Sequence, residues 1–387
     1  MKKALVVGGS SGVGLSLVFQ LLAEGYDNVY VAAKAEYPWD VLTQEQQTLL
    51  RECTTFLKTD LTHEDYSWCE AIRDIDTLII TAGFGRVALF EDLVEKEISN
   101  LIKCNELAVI QIIRKYYNLI KSDQDFHCAV MVSISGHLAS PYFSVYGATK
   151  SALAAFIENI NTELHATGCR NRILDVSPGS LKGTAFNGST NDIRQVESVA
   201  KEILQHMKDR DTLFIPEYEK TFKNVLERYH SDPVQFGLES YDYKANSTRL
   251  SGKPQLVVGY LSGTFDLFHI GHLNLLRRAK AECDYLIVGV HKSGAWKGKE
   301  TFIPFEERTE IVRNIKYVDK VIESYREDSD AWSECHYDKL FVGSDYKGTE
   351  RFQRYEEYFA DKGVEIVYFP YTQGTSSTQL REAIAKK

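Results

Sequence analysis

Twice in this chain a short apolar run leads at once into a glycine-containing turn and then into a helical pattern: at Leu5–Gly14 (LVVGGSSGVG) and again at Val257–His272 (VVGYLSGTFDLFHIGH). Each opens a series in which strand and helix patterns alternate. Such a series buries its apolar faces best as a parallel sheet with helices packed on it. At 387 residues the chain has room for two such domains of about 100–200 residues each.

The first series predicts strands at Ala4–Val7, Val29–Ala33, Thr55–Lys58, Thr77–Ile80, Ala129–Ser133, Ile173–Val176 and Thr212–Ile215. Helices are predicted at Val13–Ala23, Glu91–Ile120, Tyr146–Ala166 and Ile193–Met207. From about Glu217 the periodicity weakens: Tyr218–Tyr229 reads as a terminal helix and Lys244–Pro254 (KANSTRLSGKP) as polar linker. Domains are therefore expected at 1–235 and 255–387, with a linker over 236–254. The second series predicts strands at Val257–Leu261, Tyr285–Val290, Lys339–Val342 and Glu365–Phe369, and helices at Gly271–Ala281, Phe305–Ile315 and Thr349–Ala360. The expected class is α/β throughout, an N-terminal doubly wound parallel sheet followed by a smaller α/β domain. Ligands of such sheets lie beyond the carboxyl ends of the strands, where both glycine turns fall.

Composition narrows the function classes. Apolar residues make up 44% and charged residues 26%, and no stretch approaches the ~20 apolar residues that span a bilayer. The start, MKKALVVGG, runs straight into a glycine turn and reads as a first strand rather than a signal peptide, so a cytoplasmic location is expected. A net charge of -9 without a long basic run points away from nucleic acid and towards local basic sites for small anions. Seven scattered cysteines with no CxxC pair read as reduced thiols.

In GGSSGVG, glycines 8, 12 and 14 let the backbone turn tightly and approach a pyrophosphate, whose charge the following helix N-terminus stabilises. A glycine triplet alone is weak evidence, because many strand-to-helix turns need glycine only for geometry. Further on, Tyr146 and Lys150 stand four apart, on one helical face. An ammonium beside a phenol lowers its pKa, so the tyrosine can pass a proton to a carbonyl oxygen as hydride arrives. Ser133 precedes Tyr146 by thirteen residues at a strand end, and Asn105 lies within the long helix before it.

With Asp60-Leu61, Thr81-Ala82-Gly83 and Pro178-Gly179, these residues resemble the short-chain dehydrogenase/reductase family over residues 1 to about 215. The resemblance implies a Rossmann-like fold with Tyr146 as acid/base, Ser133 orienting the carbonyl, Lys150 binding ribose and tuning Tyr146, and Asn105 holding a relay water. It places the dinucleotide on Gly8, Ser10, Ser11, Gly12 and Gly14, with Asp60 and Leu61 near adenine, Ala82 and Gly83 near ribose, and Pro178-Gly179 also in contact. The chain departs from the family in Gly8-Gly9 for a threonine-glycine start and in Thr81 for an asparagine, and neither change removes a catalytic group. Ala32-Ala33-Lys34 ends the second strand, where a carboxylate would bind a free ribose 2′-hydroxyl. A cation in its place favours NADP(H) over NAD(H), the alternative being a solvated loop lysine.

In the second series His269 and His272 stand three apart around Gly271. A zinc pair would need a third ligand at motif spacing, which is missing, and no metal-ligating set is assigned. The whole string GTFDLFHIGH, with KGKETFIPFEER, IKYVDKVI, VGSDYKG and GTSSTQLR after it, resembles the cytidylyltransferase family of the glycerol-3-phosphate type over about 255–387. The resemblance implies a second Rossmann-like domain that binds CTP through Gly263, Thr264, Phe265, His269, Gly271, His272, Lys297, Lys299, Arg308, Asp345, Ser376, Ser377 and Thr378. A phosphate oxygen of the acceptor attacks the α-phosphate of CTP in line and pyrophosphate leaves. The nucleophile is already an anion, so catalysis comes from positioning and charge neutralisation. His269 and His272 would donate to triphosphate oxygens, Lys297 and Lys299 would neutralise developing charge, and Mg²⁺ would bridge phosphates. Tyr371 and Lys316 stand where that type carries arginines, and GSDY where it reads GDDW, which leaves the acceptor open and, to a lesser degree, the choice of CTP over ATP.

A reductase and a cytidylyltransferase on one chain suggest consecutive steps, from a phosphorylated ketose or aldehyde to an alditol phosphate and then to a CDP-alditol for capsule- or teichoic-acid-like surface polymers. The rivals are two unrelated substrates, or one domain acting as a nucleotide sensor. The partners expected are small molecules rather than nucleic acid or membrane, and both resemblances imply a homodimer or higher homo-oligomer.

Overall fold

The computed structural model describes residues 2–184, 186, 192–246, 257–293 and 301–370. They fall into two compact units, Met1–Pro254 and Gln255–Lys387. In the first, seven parallel strands are β1 (Lys3–Val7), β2 (Asn28–Ala33), β3 (Thr54–Lys58), β4 (Thr77–Ile80), β5 (His127–Met131), β6 (Ile173–Val176) and β7 (Leu213–Phe214), in the order β3-β2-β1-β4-β5-β6-β7. The central strands are apolar on both sides because both sides are covered. Leu5, Leu78 and Val130 face one core with Ile112 and Leu153, while Val6, Ile79 and Ala129 face another with Leu17 and Ile203. The covering helices are α1 (Gly12–Ala23), α2 (Gln44–Cys53), α3 (Glu95–Ile102), α4 (Ala108–Ile120), α5 (Ser144–Ala166) and α6 (Glu197–Lys208), followed by α7 (Lys223–Ser231) and α8 (Pro233–Ala245).

Three readings of the first unit change. The single helix expected over Glu91–Ile120 is a short turn at Phe90–Asp92, then α3, a π-helical turn at Lys103–Leu107, and α4. The π turn carries Asn105 into the interior. α2 was missed although Thr43 and Gln46 form a complete capping box at its start. The stretch read as linker from residue 236 is helical as far as Ala245. Asp232 caps α8 by accepting from Gln235 N at 2.9 Å, and Pro233 begins it.

Among its described residues the second unit holds five parallel strands, β8 (Val258–Gly263), β9 (Tyr285–Val290), β10 (Lys320–Glu323), β11 (Lys339–Gly343) and β12 (Glu365–Phe369), in the order β10-β9-β8-β11-β12. Its helices are α9 (Ile270–Ala281), α10 (Phe305–Arg313), α11 (Asp328–Cys335) and α12 (Glu350–Phe359). The four-residue edge strand β10 and the eight-residue α11 were not anticipated, being too short for a period to register. Both sheets reverse their strand order beside the first strand, between β1 and β4 and between β8 and β11, and such a reversal opens a crevice at the strands' carboxyl ends. Among the described residues no helix is long and apolar enough to cross a membrane.

Candidate active sites

In the first unit the crevice begins at Gly8, whose φ of +90° suits glycine. A side chain there would come within 2.5 Å of Ala82 N, and one at Gly14 would collide with Gly8 O. The turn, α1 and the end of β4 thus pack closely backbone to backbone, with no room for a side chain at Gly8 or Gly14. Thr81 serves this packing, its hydroxyl reaching Val7 O and Gly8 O, each at 3.2 Å. Ser10 is buried, and Ser11 stands at the N-cap of α1 without capping it through its side chain.

Lys34 pairs with Asp60 at 3.0 Å. Burial pushes the Asp60 carboxyl up, but bonds from Thr62 N (3.0 Å) and Thr62 Oγ1 (2.7 Å), with Lys34, hold it below its ordinary value. Leu61 is buried beside it. A Cβ on Gly83 would lie 3.2 Å from Asn105 Oδ1 and 3.4 Å from Lys150 Nζ, so these three groups converge. The Asn105 amide is pinned to Phe84, donating to its carbonyl at 2.8 Å and accepting from its N–H at 3.0 Å. Pro178 O accepts from Ile134 N at 3.0 Å, and Gly179 leaves room for the Phe222 ring.

Ser133 lies two residues past β5 and bonds the hydroxyl of Tyr146, which stands in the first turn of α5. The Tyr146 ring packs 5.2 Å from both Phe143 and Phe186 and lies against Gly85, where any side chain would strike it. Lys150, one turn on, donates to Met131 O at 2.8 Å and lies 5.7 Å from the centroid of the Tyr146 ring. The expected lowering of the phenol is absent. Burial pushes Tyr146 up to about 12 with only Ser133 pulling the other way, and burial pushes Lys150 down to about 8 against the charge of Asp175 and Cys104.

Sequence reasoning missed Gly85, Phe143, Phe186 and Phe222. It also missed a buried relay at the end of β6, where Ser177 donates to Asp175 at 2.6 Å and stands 2.8 Å from His137 Nε2. None of these has a local signature, because each acquires its neighbour through the fold.

In the second unit Gly263 closes β8 beneath the Phe265 ring, 2.9 Å from where a Cβ would stand. Phe265 and Leu267 adopt left-handed backbone (φ +52° and +47°), which strains a non-glycine residue and marks the turn after Thr264 as held in place by its surroundings. His269 is the N-cap of α9. Its Nδ1 accepts from Gly271 N at 3.0 Å, and His272 Nδ1 accepts from His269 N at 3.4 Å. Accepting at Nδ1 puts each imidazole proton on Nε2, making both side chains donors on the far edge. Burial lowers both pKa values, His272 to about 4 with His269 adding to the effect, so both rings are neutral at pH 7. Asp266, also buried, accepts from Phe302 N and Ile303 N and ties that loop to the turn.

Arg308 stands in the first turn of α10. It is fully buried, and its guanidinium donates to the carbonyls of Ile303, Thr264, His291 and Lys292. These bonds brace the turn after Thr264. Asp345 is exposed in the turn Ser344–Tyr346 at the carboxyl end of β11. Lys297, Lys299, Tyr371, Ser376, Ser377 and Thr378 lie outside the described residues. Among the described residues no three His, Cys, Asp or Glu side chains gather as a metal site.

The comparisons with known proteins divide the chain in the same two parts. Residues 2–195 match the short chain dehydrogenase family, and residues 260–383 the cytidylyltransferase-like family. Glycerol-3-phosphate cytidylyltransferase of Bacillus subtilis (strain 168) is 35% identical over 127 residues, 32% of this chain and 93% of that protein. An uncharacterized oxidoreductase of Staphylococcus saprophyticus is 26% identical over 231 residues, 58% of this chain and 84% of that one. In fold, the chain resembles a short chain dehydrogenase from Burkholderia cenocepacia solved in complex with NADP, with a TM-score of 0.51 at 18% identity over 62% of this chain and 99% of that one. The chain belongs to the short-chain dehydrogenase family through residues 2–195 and to the cytidylyltransferase-like family through residues 260–383, and is an enzyme that joins an oxidoreductase to a cytidylyltransferase.

Proposed function

We propose that the chain reduces a phosphorylated ketose or aldehyde to an alditol phosphate and then transfers CMP from CTP to that phosphate, giving a CDP-alditol and pyrophosphate. The observation that carries this reading is the pairing on one chain of a Tyr146–Ser133–Lys150 reductase site with a domain 35% identical to a glycerol-3-phosphate cytidylyltransferase. An alditol phosphate is both what carbonyl reduction of a sugar phosphate yields and what such a transferase takes.

The glycine cradle at Gly8, Gly12 and Gly14 suits the pyrophosphate of a nicotinamide dinucleotide, and Lys34 favours NADPH. When bound, that cofactor supplies the hydride. Ser133 then orients the substrate carbonyl, and Tyr146, neutral with its pKa pushed up to about 12, holds the proton that the new alkoxide needs. Lys150, held by its bond to Met131 O, steadies the arrangement one turn on, while Asn105 fixes the wall beside it.

In the second unit the acceptor's phosphate oxygen forms a bond to the α-phosphorus of CTP as the bond to pyrophosphate breaks. The Nε2–H groups of His269 and His272 are aimed by their own helix cap to meet the triphosphate. Lys297, Lys299 and Ser376–Thr378 would surround the leaving group, and Mg²⁺ would be carried by the phosphates themselves.

The test is to incubate the whole chain with NADPH, CTP, Mg²⁺ and a panel of ketose phosphates, reading CDP-alditols by mass spectrometry. Turnover of a ready-made alditol phosphate, but of no ketose or aldehyde phosphate, would overturn the coupled reading. Preference for ATP over CTP in competition would overturn the base.

A further inference from the structure

Ser133 stands in a segment with little structure of its own. β5 ends at Met131, Val132 N reaches Val176 O at 2.8 Å, and the chain then makes one short helical turn, Ile134–Gly136. Gly136 N closes it on Ser133 O at 2.8 Å and His137 N on Ile134 O at 3.0 Å. Two internal bonds fix the shape of such a turn but not its direction. Direction matters here, because Ser133 Oγ accepts from Ser135 N at 3.2 Å and bonds the Tyr146 hydroxyl, so a tilt of the turn carries the serine off the tyrosine. Outside bonds supply it: Ile134 N donates to Pro178 O at 3.0 Å, Ser151 Oγ of α5 donates to Gly136 O at 2.9 Å, and the His137 side chain ties the end of the turn to the end of β6.

We propose that His137 is a positioning residue of the reductase: by donating from Nε2 to the Ser177 hydroxyl, which the buried Asp175 carboxylate holds, it locks the turn Ile134–Gly136 to β6 and so fixes the Ser133 hydroxyl against Tyr146. This rests on the reading of Ser133 as the group that orients the substrate carbonyl, and adds what aims it.

The tie through His137 differs from the other two in ending on a charge. Asp175 is buried within β6, and a buried carboxylate is costly unless its oxygens are bonded. Ser177, fully buried, gives its proton to Asp175 Oδ1 at 2.6 Å. Its oxygen can then only accept, so His137 Nε2, 2.8 Å away, carries the imidazole proton and donates it. The same Nε2 lies 3.5 Å from Asp175 Oδ2, and the carboxylate strengthens the chain of bonds by polarising the serine hydroxyl. The direction of the turn is thereby set by a short, charge-assisted network rather than by packing. The imidazole is itself only partly buried, so filling the core is not what its place demands. A packing role would be served by any side chain of similar size, whereas a positioning role requires a donor where Nε2–H stands.

The experiment follows NADPH oxidation by the full chain with the carbonyl compound that the wild type reduces fastest, phosphorylated or not, in His137→Leu, His137→Gln, Ser133→Ala and the double variant Ser133→Ala/His137→Leu. The changes are made at His137 because Asp175 also favours the charged form of Lys150, which a substitution there would disturb. Leucine fills the space without a donor, whereas glutamine can bring an amide N–H to the place of Nε2–H. His137→Leu should lower kcat about 10- to 50-fold, since a displacement of about 1 Å at the reacting groups costs up to about 10²-fold. KM, and NADPH binding by fluorescence, should change less than about threefold, and His137→Gln should bring kcat back to within about threefold of wild type. Ser133→Ala should lose about 10²-fold, and adding His137→Leu to it should cost less than about twofold more, because a residue that acts only through Ser133 then has nothing left to aim. Equal losses with leucine and glutamine would show a packing role and overturn the proposal, as would losses that multiply in the double variant or loss of NADPH binding in His137→Leu. If Ser133→Ala keeps the full rate, the reading of Ser133 fails and the proposal with it. If Ser133→Ala is slow but the two losses multiply, the reading of Ser133 stands and the proposal alone fails.

Discussion

The two crevices of this chain start alike and are finished differently. Each lies where a parallel sheet reverses its order, at the end of a first strand that runs into a glycine turn and a helix. In the reductase unit β1 and β4 stay in register to their ends, Val7 opposite Ile80, and the turn only cradles. The groups proposed to react come from more than a hundred residues later, Ser133 after β5 and Tyr146 and Lys150 on α5. In the transferase unit β8 and β11 part after Tyr260 and Leu340, so the crevice opens inside the sheet and the histidines proposed to meet the triphosphate sit on the turn itself, capping the helix they begin. One site imports its chemistry to a binding turn, whereas the other makes the turn the chemistry.

That contrast predicts separable losses. The largest is expected at Tyr146, where phenylalanine keeps the ring between Phe143 and Phe186 but removes the proton. NADPH oxidation should fall about 10³-fold while NADPH binding and CMP transfer persist. Retained reduction would mean that another group, such as His137 on its Ser177–Asp175 relay, delivers the proton. Next comes His272→Ala, which removes a donor and half of a helix cap at once. CMP transfer should fall a few hundredfold with reduction intact. A matching fall in reduction would break the separation of the two sites.

How much of this was legible follows the same division. GTFDLFHIGH carries its geometry within ten residues, so the histidine pair stood out in the sequence, although the cap it forms on α9 did not. Tyr146 and Lys150 were also readable, one helical turn apart on α5. Their pKa values were not, because burial decides them and burial belongs to the assembled sheet. Arg308 shows the same limit: the string in which it stands does not disclose its full burial among four carbonyls, which belongs to the assembled fold. α8 escaped because none of its residues is fully buried, so no apolar stripe announced it. Lys244 and Tyr241 hold it instead, through contacts about a hundred residues away in sequence.

The histidines also give the transferase unit a pH signature. With a folded pKa of about 4 against an ordinary 6.5, His272 takes its proton first in the unfolded chain. The unfolded state therefore binds more protons between those values, and stability falls as pH drops through that window. About 2 kcal/mol should be lost between pH 7 and 5 from this residue, and His272→Gln should flatten the slope. Lys150 gives the reductase unit the same sign in a different window. Its folded pKa of about 8 lies below the ordinary 10.5, so that contribution rises with pH across 8 to 10.5. Thermal melts with one probe in each unit should separate the windows, and a single acid slope shared by both units would contradict the assignment to His272.

The smallest effect belongs to the edge of the reductase turn. Lys34 is largely exposed and meets Asp60 at 3.0 Å, and an exposed pair of this kind is worth at most about 1 kcal/mol. A 2′-phosphate brings more charge than the carboxylate and can draw Lys34 away from it, so the pair is no barrier to NADPH. Lys34→Ala should lower kcat/KM for NADPH up to about tenfold and leave that for NADH within about twofold, because the alanine removes a contact only the 2′-phosphate makes. Equal changes for both cofactors would instead assign Lys34 to steadying Asp60, whose low pKa it supports. In either case the NADPH-dependent chemistry at Tyr146 should keep its pH profile. A binding turn that imports its catalysis can have its cofactor choice changed without its proton transfer, which the histidine turn of the second unit does not allow.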